Sequence, residues 1–238
     1  MKILSVLHDS MAPTATLGEC IVRRGGAYEE VTPHDGDSLP ADHRDYDGVI
    51  VMGGPMDADD DANYPHFRPL IQLLRGFHAV GKPMLGVCLG AQIFARVFDK
   101  AVKRHHELEF GFTENLVTDD GARDPLLKGL ARSQWLMQWH QDTFDLPDGA
   151  VLLMTGAACA NQGFRLGAHV YAFQFHLETT KPILRTWVRA RHDFLAREHP
   201  YFFNKIEQQF AAHMDDQLAF TRTVGDRWVD LVEKRKGG

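Results

Sequence analysis

Two short apolar runs, each closed by glycine, decide what this chain can build. Tyr46-Asp47-Gly48-Val49-Ile50-Val51-Met52 ends in a continuous, largely β-branched stretch stopped by Gly53-Gly54-Pro55, and residues 83–87 form a second run stopped by Cys88-Leu89-Gly90. Continuous apolar runs of this length read as strands buried on both faces. Such strands need helices on either side, and the residues between supply them. Leu70, Ile71, Leu74, Phe77 and His78 recur at helical spacing up to Gly81, residues 89–97 have helical periodicity, and residues 3–7 then 16–24 repeat the same strand-helix order before Gly25-Gly26. This alternation predicts an α/β fold with a mostly parallel sheet and helices on both faces.

Between residues 115 and 175 the segments shorten and polar turns multiply (Asp119-Asp120-Gly121, Pro147-Asp148-Gly149), which predicts further strands, some of them antiparallel. Beyond that the pattern turns helical. Thr179 or Thr180 can cap a helix with Pro182 in its first turn, with a break expected near Pro200. Ile206, Phe210, Met214 and Leu218 make one apolar stripe and Trp228, Leu231 and Val232 another; both are expected to pack on the chain's own core, a partner-docking face being the alternative. Residues 1–183 are expected to form the main domain, with 184–238 a C-terminal helical extension packed on it or extending it. No internal repeat is present.

With 238 residues, 44% of them hydrophobic and 24% charged, the chain has the composition of a globular protein with a sizeable core. Its net charge of −6, with a basic run only at Glu233-Lys234-Arg235-Lys236, argues against nucleic acid or an anionic membrane as the main partner. No apolar stretch approaches the roughly 20 residues of a membrane span. The N-terminus lacks the pattern of a secretory signal, so a cytoplasmic location is expected. Three widely spaced cysteines, Cys20, Cys88 and Cys159, exclude a disulfide framework and a four-cysteine zinc site.

Gly86-Val87-Cys88-Leu89-Gly90 sits between a buried strand and a helix and has the pattern of a nucleophile elbow with Cys in place of Ser. Glycines two residues either side let strand and helix approach without Cβ clashes, around a nucleophile on a strained turn. The helix N-terminus favours a thiolate and offers backbone N–H groups to an oxyanion. A buried structural cysteine is the plainer alternative; the flanking glycines weigh against it. A thiol nucleophile needs a base. Among thirteen histidines the best placed is His176, in Tyr171-Ala172-Phe173-Gln174-Phe175-His176-Leu177-Glu178, which alternates like a strand and would set Glu178 beside His176 on one face. Cys88, His176 and Glu178 together have the composition of a catalytic triad.

These motifs resemble the class I glutamine amidotransferases, whose elbow reads G-x-C-x-G-x-Q and whose base segment reads Q-F-H-P-E. Gly86-Val87-Cys88-Leu89-Gly90-Ala91-Gln92 matches the first, and Gln174-Phe175-His176-Leu177-Glu178 matches the second except for Leu177 in place of proline. Gly53-Gly54-Pro55 is similar to the family's oxyanion loop. Gln138-Trp139-His140-Gln141-Asp142 resembles the segment lining the glutamine pocket of GMP synthetase amidotransferase domains, and Glu109-Phe110-Gly111 a shorter E-x-G signature.

The resemblance covers residues 1–183 and implies a Rossmann-like sheet. It implies that Cys88 attacks a γ-glutamyl amide, that His176 oriented by Glu178 protonates the departing ammonia, and that water hydrolyses the thioester. It further implies an oxyanion hole from Gly53, Gly54 and Leu89, and substrate contacts from Gln92, Trp139 and His140. No cofactor and no metal are expected.

The substrate is then a small molecule, glutamine or another γ-glutamyl compound. An ammonia-accepting synthetase is a possible partner, since the chain carries no convincing nucleotide motif of its own. A γ-glutamyl peptidase or γ-glutamyl amine hydrolase is the alternative within the enzyme class. A partner-dependent or regulatory role without autonomous activity is the alternative outside it.

Three other signals carry less. Gly76-Phe77-His78-Ala79-Val80-Gly81-Lys82 is close to a P-loop, but Pro83 replaces the magnesium-binding hydroxyl and the pattern runs from helix into strand. Asp57, Asp59, Asp60 and Asp61 lack the spacing of a calcium loop. His105-His106-Glu107 lacks a zinc-ligand frame.

Overall fold

A computed structural model of the chain describes residues 1–198 and 205–236. In chain order these form β1 (Lys2–Val6), α1 (Ala15–Arg23), β2 (Ala27–Val31), β3 (Gly48–Val51), α2 (Phe67–Ala79), β4 (Met84–Val87), α3 (Leu89–Val97), β5 (Val102–Val117) and β6 (Ser133–Phe144). There follow β7 (Val151–Gly156), β8 (Gly163–Leu166), β9 (Val170–Phe173), α4 (Lys181–Ala190), α5 (His192–Glu198) and a long α6 (Ile206–Lys236). The break expected near Pro200 lies outside the described residues.

All nine strands join one sheet in the order β2-β1-β3-β4-β9-β8-β7-β5-β6. From β2 to β9 neighbouring strands are parallel, and from β9 to β6 they are antiparallel. Alternate residues of the parallel strands face opposite layers. Ile3, Ile50 and Leu85 join the cluster that includes Leu17 and Ile21 of α1 and Val224 and Trp228 of α6. Leu4, Val49, Val51 and Met84 join Phe67, Leu70, Leu74 and Phe77 of α2 and Ile93 and Phe94 of α3. The sheet is therefore covered on both faces, as the apolar runs predict.

Both apolar stripes of the C-terminal part pack inward, with Leu218 and Leu231 only partly buried. Ile206, Phe210 and Met214 pack with Phe112 and Met137 of the antiparallel strands and with Leu184 and Trp187 of α4, and Leu218 packs against this cluster. Trp228 is 1% exposed within the main core. Gly225 lets α6 lie close on α1, since a Cβ there would come within 2.8 Å of Cys20 Sγ. Trp228→Ala is expected to cost about 3–5 kcal/mol by opening a cavity in the layer shared by α1, α6 and the sheet, measurable as a lower urea midpoint. The cap of α4 is Thr180, whose hydroxyl accepts from the Ile183 N–H, with Pro182 in the first turn.

Candidate active site

The carboxyl ends of β3, β4 and β9 lie side by side, the place where open parallel sheets present their chemistry. Cys88 is the residue between β4 and α3, with φ 52° and ψ −109°. A positive φ in a residue with a side chain is strained, and a nucleophile elbow is built on that strain. The flanking glycines explain how the turn is tolerated. A Cβ on Gly86 would stand 2.8 Å from the Gly90 carbonyl oxygen, and one on Gly90 would stand 2.0 Å from the Val51 carbonyl oxygen. Gly90→Ala is thus expected to push α3 off the sheet and cost at least about 3 kcal/mol, read as loss of cooperative unfolding or of soluble expression.

His176 and Glu178 meet as the sequence predicts, by a different backbone. β9 ends at Phe173, and residues 174–178 are irregular, not strand. The chain there leaves the ladder: the Gln174 N–H donates to Gln162 O and the His176 N–H donates across to Met137 O on β6. The turn nevertheless brings His176 Nδ1 within 2.8 Å of Glu178 Oε1, both groups buried. Leu177, where the family motif has proline, is fully buried in the main core and anchors the turn. Burial disfavours a charged His176, but the Cys88 thiolate and the Glu178 carboxylate outweigh it and hold the imidazole well above the ordinary histidine value. Its Nε2 is buried without a well-formed hydrogen bond to another protein group.

Gly53 lies beside both Cys88 and His176. A Cβ there would be 3.2 Å from His176 Cε1 and 3.4 Å from Cys88 Cβ. Gly54 lines the same cavity as Cys88 and His176. Leu89 is the first residue of α3, where a backbone N–H has no partner within the helix. Gln92 lines the cavity, yet its Nε2 donates to Asp142 O and Gln174 Oε1 at 3.3 Å each. Gln174 in turn approaches Cys88 Sγ at 3.8 Å. Trp139 faces the cavity with its carbonyl 3.9 Å from Cys88 Sγ.

His140 lines the cavity too and joins two motifs that the sequence shows only separately. Its Nε2 is 3.1 Å from Glu109 Oε2 and its Nδ1 is 2.9 Å from Asp142 O. Burial acts to raise the Glu109 carboxyl, but hydrogen bonds from His140, Thr113 and Gln162 prevail and lower it. Glu109, His140 and Cys159 bring metal-type ligand atoms within 4.8 Å of one another. Those atoms already have protein partners, Glu109 in His140 and Gln162, Cys159 Sγ in Thr143 Oγ1 at 3.1 Å, so a cation would have to break them.

The cavity, about 360 Å³, has contributors that sequence reasoning missed. Trp187 and Ala190 of α4, with Arg191 and Phe194 just beyond, close one side although they follow the last recognisable motif. The Trp187 ring packs edge-on against His176, centroids 4.9 Å apart. Gln217 of α6 is buried and holds the base turn: its Oε1 accepts from the Met137 N–H at 2.6 Å, and its Nε2 donates to His176 O and Thr179 Oγ1. Neither position carries a local signal. Of the acidic loop, Asp57 reaches the cavity while Asp61 pairs with Arg96 and Arg68. His106 and Glu107 are exposed. No helix among the described residues is long and apolar enough to cross a membrane.

The chain is similar to known proteins in sequence and in fold. A family model described as glutamine amidotransferase class-I matches residues 11–185. The glutamine amidotransferase-like protein YfeJ of Salmonella typhimurium is 27% identical over 183 residues, 76% of this chain and 77% of its own. One component of the glutamine-hydrolyzing GMP synthase of Thermoplasma acidophilum is 30% identical over 66% of this chain and 75% of that one. Gamma-glutamyl peptidase 3 of Arabidopsis thaliana is 29% identical over 58% of this chain and 57% of the plant protein. In fold, the chain is similar to a glutamine amidotransferase from Thermotoga maritima, with a TM-score of 0.87 at 24% identity over 97% and 98% of the two chains. With its elbow, its base turn and a family match across most of its length, the chain belongs to the class I glutamine amidotransferase family.

Proposed function

We propose that the chain is a hydrolase that cleaves γ-glutamyl amides through a thioester on Cys88, with His176 and Glu178 completing a triad. The observation that carries the reading is the joint placement of a strained Cys88 and a His176 held 2.8 Å from a buried Glu178, both reactive side chains opening into one cavity. Cys88 Sγ attacks the side-chain carbonyl carbon of the γ-glutamyl group. The resulting oxyanion takes hydrogen bonds from the backbone N–H groups of Leu89 and of Gly53 or Gly54. His176 gives its proton to the departing nitrogen as the C–N bond breaks. It then takes a proton from the water that attacks the thioester, releasing glutamate and the thiolate. Glu178 fixes the ring orientation and stabilises its charge.

Gln92, Trp139 and His140 belong to the substrate pocket in this reading, Gln92 and His140 by clamping the Asp142 carbonyl. The family match supports an amide-cleaving role, and the name of the Thermoplasma relative adds a synthetase partner as a competing fate for released ammonia. Glutamate release by the purified chain from glutamine and other γ-glutamyl compounds tests the reading, with Cys88→Ser as control. Release that disappears in the variant supports it. Release only after a synthetase is added would replace it with the partner-dependent account.

A further inference from the structure

The hydrolase reading leaves the departing group open, and the cavity walls bear on it. Whatever leaves must sit beside His176, since that imidazole supplies its proton. The Glu178 carboxylate occupies the Nδ1 side of the ring. Trp187 stands against the ring itself, and Trp139 meets Trp187 edge-on, centroids 5.9 Å apart at 70°. Met11 and Ala12, from the segment after β1, complete this wall. The wall is rigid. Trp187 is only 8% exposed, its indole N–H donates to Met11 O at 2.7 Å, and Trp139 is backed by Phe110 with centroids 4.5 Å apart.

The polar lining forms a separate group. Gln92 and His140 both contact the Asp142 carbonyl, and Arg104 donates to Gln141. Burial and then the Asp57 charge raise the Asp142 carboxyl, so these two acids and Arg104 share one electrostatic neighbourhood. It suits the charged α-amino and α-carboxylate groups of a glutamyl moiety. On the aromatic side the charged lining among the described residues is Asp9, which accepts the Met11 N–H at 2.8 Å, and Arg191 near the exposed end of α4.

From this division we infer that the leaving group is an amine with an apolar alkyl or aryl body, seated against Trp139, Trp187 and Met11, and that ammonia is a poor fit. The inference rests on the hydrolase reading. In the step itself the Cys88 Sγ–carbon bond forms and the C–N bond breaks. The nitrogen keeps the electron pair, takes the His176 proton and leaves as a neutral apolar amine.

The test is steady-state kinetics of glutamate release by the full chain. The substrates are glutamine, γ-glutamyl butylamide, γ-glutamyl benzylamide, γ-glutamyl phenylalanine and the monoamide of diaminobutane, which has the four-carbon chain of the butylamide ending in an ammonium group. One methylene in an apolar pocket discriminates by about 10–200-fold. The butyl and benzyl amides are therefore expected to exceed glutamine and the diamine amide in kcat/KM by at least about tenfold. Trp139→Ala should erase that preference mainly through KM, and Trp139→Phe should keep most of it. Should the Ala variant not fold, the wild-type ratios decide alone. Phenylalanine against benzylamide tells whether a carboxylate near Arg191 is also accepted; a preference for either over glutamine supports the inference. Glutamine or the diamine amide used as well as the apolar amides would overturn the inference and leave the hydrolase reading standing. Release from none of the five would overturn both.

Discussion

Cys88→Ala is expected to lower γ-glutamyl hydrolysis by at least about 10⁴-fold while the fold and substrate binding persist. Removing the nucleophile of a triad costs nearly as much as removing the whole triad, because the remaining members have nothing to activate. Alanine keeps the Cβ and so keeps the strain at φ 52°, and the close approach of α3 to β3 is made at Gly90 against the Val51 carbonyl, not at the sulfur. Equilibrium binding of a γ-glutamyl amide to the variant, with a single cooperative unfolding transition retained, separates lost chemistry from lost structure. Activity within tenfold of the wild type would remove Cys88 from the mechanism.

The second large effect is expected at Glu178. Glu178→Gln keeps the size of the side chain but loses the charge that helps hold His176 well above the ordinary histidine value. A loss in kcat of about 10²–10⁴-fold follows from poorer orientation and a less stable imidazolium. The pH profile gives a readout that simple loss of structure would not move. Because the imidazole is raised in the folded protein, its stabilising contribution is complete below about pH 6.5 and is lost as pH rises through the folded value. In the proposed reaction the same proton is the one donated to the leaving nitrogen, so the alkaline limb of kcat/KM follows His176 and lies above the ordinary histidine value. Glu178→Gln should move this limb to lower pH. An unmoved limb would show that Glu178 does not govern the proton.

Legibility in the sequence followed the physics of burial. Helix α3 runs over residues 89–97, and β3 and β4 match their apolar runs within about two residues, because a strand buried on both faces leaves a continuous signal. Edge structure left none. β2, Ala27–Val31, lies at the sheet edge and is largely solvent-facing, so Tyr28-Glu29-Glu30 carries no apolar strand signal. The first half of β5 is likewise polar and exposed around His105-His106-Glu107, and its register slips between Arg104 and Glu109.

In the site, the motif residues carry their own spacing, and Cys88, Gln92, Trp139, His140 and His176 line one cavity. The alternation through residues 171–178 misleads locally: it continues past the end of β9, where backbone bonds to β6 and the buried Leu177 bend the chain yet keep His176 and Glu178 together. Trp187 and Gln217 were invisible because their roles come from where α4 and α6 dock. A tryptophan or glutamine on a helix announces no partner. The pairing of Glu109 with His140 is similar, since each motif can be read alone but their 3.1 Å contact belongs to the β5–β6 ladder.

The most direct test of the central claim is mass spectrometry of the intact chain quenched in acid during turnover of a γ-glutamyl amide. The account predicts a covalent adduct equal in mass to one γ-glutamyl group, mapped to the peptide carrying Cys88, labile to hydroxylamine and absent from Cys88→Ala. Turnover with the thiol unmodified under rapid quench, or an adduct on Cys20 or Cys159 instead, would contradict it.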